Sequence, residues 1–188
     1  MTLSLLCVPF AGSGAGFYRA WPNGAEQGLR IVPLQMPGRE ERFLDDPYED
    51  AAEAAKDLAG AALHLVGGAE RVVLFGHSLG AVLAYETARE LQAQGFTAVE
   101  HLFVSGSPGP RSVRTGRTAE LDDDTFVERV AELAGYRHAA LDDPDLREVL
   151  LPLLRADVAL HEEYRPVSDE PLTLPVTALR GTDDALVS

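Results

Sequence analysis

Gly76-His77-Ser78-Leu79-Gly80 is the stretch of this chain best equipped for covalent chemistry. It lies between a β-branched apolar run, Val72 to Phe75, and an amphipathic segment beginning at Leu79, so it reads as strand, sharp turn and helix. A serine at such a turn is lifted clear of the sheet. Strand and helix then approach so closely that the residues two before and two after it must be small, as Gly76 and Gly80 are. Ser78 is the candidate nucleophile. The helix N-terminus beside it favours negative charge forming on a substrate oxygen, with the Leu79 N–H as one oxyanion donor.

A second donor should come from the loop after an early strand, and Pro9-Phe10-Ala11-Gly12-Ser13-Gly14-Ala15-Gly16 supplies one. Its glycines are expected to let the backbone approach a substrate oxygen. A dinucleotide site is the rival reading, but the spacing is G-x-G-x-G rather than G-x-G-x-x-G, and Pro33-Leu34-Gln35 offers no acid for a ribose. Near the other end, Val176 to Leu179 is strand-like and delivers Asp183 and Asp184 to a turn, and a turn at a strand end is where α/β enzymes keep their chemistry.

The elements that must position these groups follow from periodicity. Apolar runs Leu3 to Pro9, Ile31 to Leu34, Val72 to Phe75, Leu102 to Val104 and Val176 to Leu179 read as buried parallel strands. Helix-period segments span Tyr48 to Leu65 and Leu79 to Gln94, so the pattern is a doubly wound α/β sheet. Between Leu121 and Tyr164 three helical segments (125–133, 145–150 and 153–164) follow one another without a strand, which suggests a lid over a cleft. Asp122 or Asp124 should cap the first, Asp143 with Pro144 should start the second, and Pro152 should kink or restart the third.

Composition narrows the function classes. With 188 residues, 46% of them hydrophobic, the chain can bury one domain core. A formal charge of −14 without a Lys/Arg cluster argues against nucleic acid. The N-terminus lacks a signal-peptide pattern and no apolar run reaches membrane-spanning length, so a soluble, cytoplasmic protein that uses no membrane is expected. Cys7, the only cysteine, excludes an internal disulfide and a multi-cysteine metal site, and reads as a small buried side chain.

Six segments together resemble the type II thioesterases of polyketide and non-ribosomal peptide assembly lines, which are stand-alone α/β-hydrolases. They are PFAGSGAGFY, LQMPGREERF, FGHSLGA, FVSGSPGP, LLPLLRADVALHEEY and LPVTALRGTDDALV. The resemblance covers nearly the whole chain. It implies a single domain over 1–188, with 1–120 and 170–188 as core and 121–165 as helical lid. It makes Ser78 the nucleophile and the N–H groups of Ala11 and Leu79 the oxyanion hole. Within GTDDALV it selects Asp184 over Asp183 as the triad acid, because Gly181 and Val187 then align around it. No metal or cofactor is implied.

In that fold the order is Ser, acid, His. Only Ala185, Leu186, Val187 and Ser188 follow Asp184, and the five histidines all lie earlier. His77 is expected to pack beneath the turn, His64 and His101 lie away from the site, and His138 and His161 fall in the lid. The expectation is a C-terminally truncated enzyme that lacks the histidine loop, a final helix and a last strand, leaves one flank of the sheet uncovered, and turns over weakly or not at all. By the resemblance, the complete enzyme removes acyl or aminoacyl groups from the phosphopantetheine arm of carrier proteins. Docking would use patches near Arg39, Arg42 or the lid, and Phe126, Val130, Leu133, Leu150 and Leu154 are available either for an acyl groove or for plain helix packing. A small-molecule carboxylesterase and a non-catalytic acyl-binding module are the alternatives.

Overall fold

The computed structural model describes residues 2–22, 28–67, 71–135, 137–182 and 184. Five strands, β1 (Leu3–Val8), β2 (Leu29–Pro33), β3 (Arg71–His77), β4 (Val99–Ser105) and β5 (Val176–Leu179), form one sheet in the order β2-β1-β3-β4-β5. Every neighbouring pair is parallel. Parallel neighbours cannot be joined by hairpins, so the chain crosses the sheet faces between strands. The helices are α1 (Ala15–Arg19), α2 (Ala51–Val66), α3 (Leu79–Ala93), α4 (Asp123–Ala134) and α5 (Pro144–Glu163). This is the expected α/β arrangement, with all five anticipated strands present.

Strand alternation divides the core between two faces. Leu6, Val8, Val72, Leu74 and Leu102 pack with Leu58 and Ala62 of α2 and with Leu79, Leu83 and Leu91 of α3. On the opposite face Phe75 meets Tyr18 and Trp21, at ring-centroid distances of 6.0 and 5.3 Å. Cys7 is fully buried, as expected, and burial pushes its thiol up to about 12. The edge strand β5 leaves Val176 and Leu179 exposed. Among the described residues no helix is long and apolar enough to cross a membrane.

Helix starts follow their caps. Asp50 accepts the N–H groups of Ala52 and Glu53, so α2 begins at Ala51 rather than Tyr48. Asp122, not Asp124, caps α4 through the Thr125 N–H, and α4 ends at Gly135 with φ 71°. Asp143 caps α5 with Pro144 in its first turn. The helix does not restart at Pro152, and α5 runs through it as one helix of 20 residues. A proline in a helix interior costs about 3 kcal/mol. Leu151, Leu154, Asp157 and Leu160 form a buried stripe across that point, and their packing offsets the lost backbone bond.

The region between β4 and β5 has a small core of its own, made of Phe126, Val127, Leu141, Leu151 and Leu154, with Ala11 of the β1 loop packed against it. Leu83 lies at the centre of the main core and is fully buried. Leu83→Ala is expected to lower the free energy of unfolding by about 2–5 kcal/mol, measured by urea titration.

Candidate active site

Ser78 stands between β3 and α3 with φ 53° and ψ −120°. Glu40 is the other non-glycine residue with positive φ among the described residues. Such a conformation costs of order 1–3 kcal/mol and persists only where its surroundings enforce it. Here two glycines do so. A Cβ on Gly76 would run into the Gly80 carbonyl and lie 2.6 Å from the Ala81 nitrogen. A Cβ on Gly80 would run into the Val8 carbonyl oxygen and lie 2.7 Å from that of Pro9. The turn is tied to the sheet by the Ser78 N–H, which donates to the Ser105 carbonyl at 2.9 Å, and it closes through Ala81 N–H on the Ser78 carbonyl at 3.0 Å.

Ala11 occupies the tight turn after β1, where the Ser13 N–H donates to the Phe10 carbonyl at 3.0 Å and Gly12 has φ 73°. The glycines of this loop differ from expectation, because each faces protein. A Cβ on Gly12 would lie 2.8 Å from Leu154 Cδ1, and one on Gly14 or Gly16 would meet the Glu40 carboxylate. That carboxylate accepts the Gly16 N–H at 2.9 Å and pairs with Arg19 at 3.3 Å. Arg39 and Asp157 complete the support: Nη1 and Nη2 of Arg39 each donate to a carboxylate oxygen at 2.8 Å, and the Gly12 N–H donates to Asp157 Oδ2 at 2.8 Å.

Helix α5 touches the C-terminal ends of the strands in turn. Leu153 fills the space over Gly38 after β2, and Leu154 and Asp157 meet the loop after β1. His161 Nε2 lies 3.3 Å from Ser107 Oγ just past β4, and the Tyr164 hydroxyl donates to Glu86 of α3 at 2.5 Å. Since β3 lies between β1 and β4, α5 crosses the sheet edge that carries Ser78.

The strands also end level with one another: His77 pairs with Ser105, and Ser105 with Leu179. Asp184 therefore follows β5 on the same edge, with its N–H on the Gly181 carbonyl at 3.2 Å and its own carbonyl accepting from Arg180 at 3.0 Å. Asp183 lies outside the described residues. His77 is not beneath the turn. Its ring is partly exposed, with Nδ1 3.1 Å from Ser105 Oγ and the ring packed on Gly106. Partial burial holds its pKa below the ordinary imidazole value, and the Asp184 carboxylate opposes that shift.

The remaining histidines are engaged elsewhere. His101 stacks on Phe103 at 4.6 Å and meets Thr177 Oγ1 at 2.8 Å, and His138 accepts the Ala140 N–H. His64 is exposed in the last turn of α2. Sequence reasoning missed the roles of Arg39, Glu40 and Asp157 as supports of the loop after β1. The sequence suggests a docking patch near Arg39, whereas its side chain is only 7% exposed and donates to Asp157, Ser13 and Pro37. The signal was present in the acid at Asp157, which falls on the apolar stripe of α5, where a charge requires a buried partner. Phe126 and Leu154 are buried in the helical insertion, Phe126 beneath the Arg155 guanidinium at 4.3 Å, which favours the packing reading for these two.

The sequence pattern of the thioesterase domain family matches residues 4–188. The chain is 31% identical to the gramicidin S biosynthesis protein GrsT of Aneurinibacillus migulanus over 97% of its own length and 71% of that protein's. It is 33% identical to thioesterase PikA5 of Streptomyces venezuelae, covering 96% of this chain and 64% of that one. Among solved structures, the type II thioesterase BorB from the borrelidin biosynthetic cluster superposes with a TM-score of 0.83 at 36% identity, over 100% of this chain and 76% of BorB. YbtT, a type II thioesterase from the yersiniabactin NRPS/PKS pathway, gives 0.82 at 30% identity, over 96% and 73%.

His161 provides a pH test of the α5 contact with the β4 end. Burial, and then the nearby Arg114 cation, lower its pKa from 6.5 to about 4, with Glu162 opposing. The unfolded chain therefore binds a proton that the folded chain refuses between those values. The stability tied to the neutral ring is complete above pH 6.5 and is lost as pH falls towards 4, by at most about 3 kcal/mol. Thermal midpoints measured across that window should fall in the wild type and flatten in His161→Gln.

Proposed function

Since the chain belongs to the thioesterase domain family, and so to hydrolases acting on thioesters, we propose that it releases acyl or aminoacyl groups from carrier-protein phosphopantetheine arms in polyketide or non-ribosomal peptide biosynthesis. The biosynthetic settings named above for GrsT, PikA5, BorB and YbtT support that reading. Ser78 is the proposed nucleophile. The observation that carries this reading is its enforced backbone conformation at the N-terminus of α3, with Gly76 and Gly80 keeping strand and helix in contact.

In the proposed reaction Ser78 Oγ attacks the thioester carbonyl and gives up its proton to an imidazole oriented by Asp184. The tetrahedral oxyanion accepts hydrogen bonds from the Ala11 and Leu79 N–H groups, and the thiolate leaves as the acyl-serine forms. Water then attacks the acyl-serine, and the carboxylic acid departs as Ser78 recovers its proton. A thiolate is a good leaving group, so this step needs less acid assistance than amide cleavage. Residues 121–165, with α5 crossing the Ser78 edge, act as the lid.

None of the five histidines is placed against Ser78 in the contacts above, so turnover by these 188 residues alone is expected to be slow. Added imidazole is expected to accelerate it. With imidazole present, Ser78→Ala should abolish that acceleration of acyl-carrier thioester hydrolysis, measured by mass spectrometry of the carrier. Equal rates in wild type and Ser78→Ala would overturn the nucleophile, and a preference for p-nitrophenyl esters over the carrier substrate would move the reading to a small-ester hydrolase.

A further inference from the structure

The Ala11 turn is held by groups that take no part in the proposed chemistry. Its Phe10 carbonyl accepts both the Ser13 N–H at 3.0 Å and Ser13 Oγ at 2.9 Å. In a planar trans peptide the N–H points opposite to the carbonyl, so these bonds aim the Ala11 N–H outward from the turn. The next peptide, Ala11–Gly12, is the central one of the turn. Positive φ at Gly12 marks the turn form in which that peptide is inverted relative to the commoner form. Among the described residues its N–H has one acceptor, Asp157 Oδ2 at 2.8 Å, and that oxygen belongs to α5, 145 residues further along the chain.

The same carboxylate is locked from the other side by Arg39, whose Nη1 also donates to the Ser13 carbonyl at 2.9 Å. The side chains of Arg39 and Asp157 are 7% and 3% exposed. Withdrawing α5 would strip Gly12 of its acceptor, leave Arg39 without its counter-charge, and lift Leu154 from its seat over Gly12. The turn peptide would then be free to invert, carrying the Ala11 carbonyl with it.

We propose that Asp157 is a positioning residue that makes the oxyanion hole conditional on the docking of α5: the Ala11–Gly12 peptide beside the Ala11 N–H keeps its orientation, and the Ala11 carbonyl its direction, only while the Asp157 carboxylate holds the Gly12 N–H. This rests on the reading of Ala11 as an oxyanion donor and deepens it, because lid closure and transition-state stabilisation become one event. Substrate that seats α5 completes the hole, and substrate that keeps it away does not.

The test uses wild type, Asp157→Asn and Ser78→Ala, with an acetyl-pantetheine thioester hydrolysed in imidazole buffer and backbone amide exchange followed by NMR. Asp157→Asn should lower kcat per folded molecule about ten- to a hundredfold, with KM within about threefold, because an inverted peptide dipole beside the oxyanion acts on the transition state. The Gly12 amide should be protected in the wild type and should exchange at least about tenfold faster in Asp157→Asn. A purely structural contact would move the thermal midpoint and leave kcat per folded molecule alone. That outcome, or a freely exchanging Gly12 amide in the wild type, overturns the proposal. Should Asp157→Asn not fold, or should Ser78→Ala be as active as wild type, protection of the wild-type Gly12 amide supports the coupling and free exchange overturns it. Activity retained in Ser78→Ala counts separately, against the nucleophile.

Discussion

The buried pair of Arg39 and Asp157 is the constraint on which the rest of the sheet edge carrying Ser78 depends. Taking two charges out of water is expensive, and it is tolerated only where further hydrogen bonds support the pair. Arg39 uses four of its five N–H donors, on Asp157 from both terminal nitrogens, on the Ser13 carbonyl from Nη1 and on the Pro37 carbonyl from Nε. Asp157 adds the Gly12 N–H. The loops after β1 and β2 and helix α5 can therefore occupy only one mutual arrangement without stranding a charge. The contribution of such a pair is register more than stability, since well-packed apolar residues could hold the same elements together as firmly.

Around that anchor the sheet does the positioning. Parallel strands in register bring His77, Ser105 and Leu179 to one level, so the turn after β3 and the turn after β5 open on the same edge although about a hundred residues separate them. The strain at Ser78 is sustained by contacts of a different kind, backbone against backbone at Gly76 and Gly80, where no side chain could yield. Helix α5 then lies across this edge, bound in its middle by Asp157 and at its end by Tyr164 on Glu86. Its passage through Pro152 shows tertiary packing overriding a local preference, since the buried stripe on one side of the helix outweighs a single lost backbone bond.

Much of this was legible in the sequence because it is local. The five strands, the cap at Asp143, the pair Asp122 and Asp124 from which the α4 cap comes, and the glycine spacing about Ser78 follow from periodicity, side-chain acceptors and steric necessity within a few residues. The glycines of the first loop show the limit. Their number was plain, yet the reason for them was not, because Glu40 and Leu154 fill the space above them from 24 to 142 positions away or thereabouts. His77 likewise belongs to a neighbouring strand's environment, Ser105 and Gly106, which its own flanks do not specify.

The sequence by itself determined that a parallel α/β sheet would present a serine at a strand–helix junction and an acid past the last described strand. Hydrophobic period and the small residues that a tight turn demands are properties of short windows. Only the tertiary structure decided that Arg39 is a buried clamp rather than a surface contact, that α5 is one continuous helix, and that its Asp157 accepts the Gly12 N–H of the turn carrying Ala11. These outcomes depend on which distant charges and surfaces meet once the chain has folded, and a buried ion pair is specified by its partner's position in space, which no local pattern encodes.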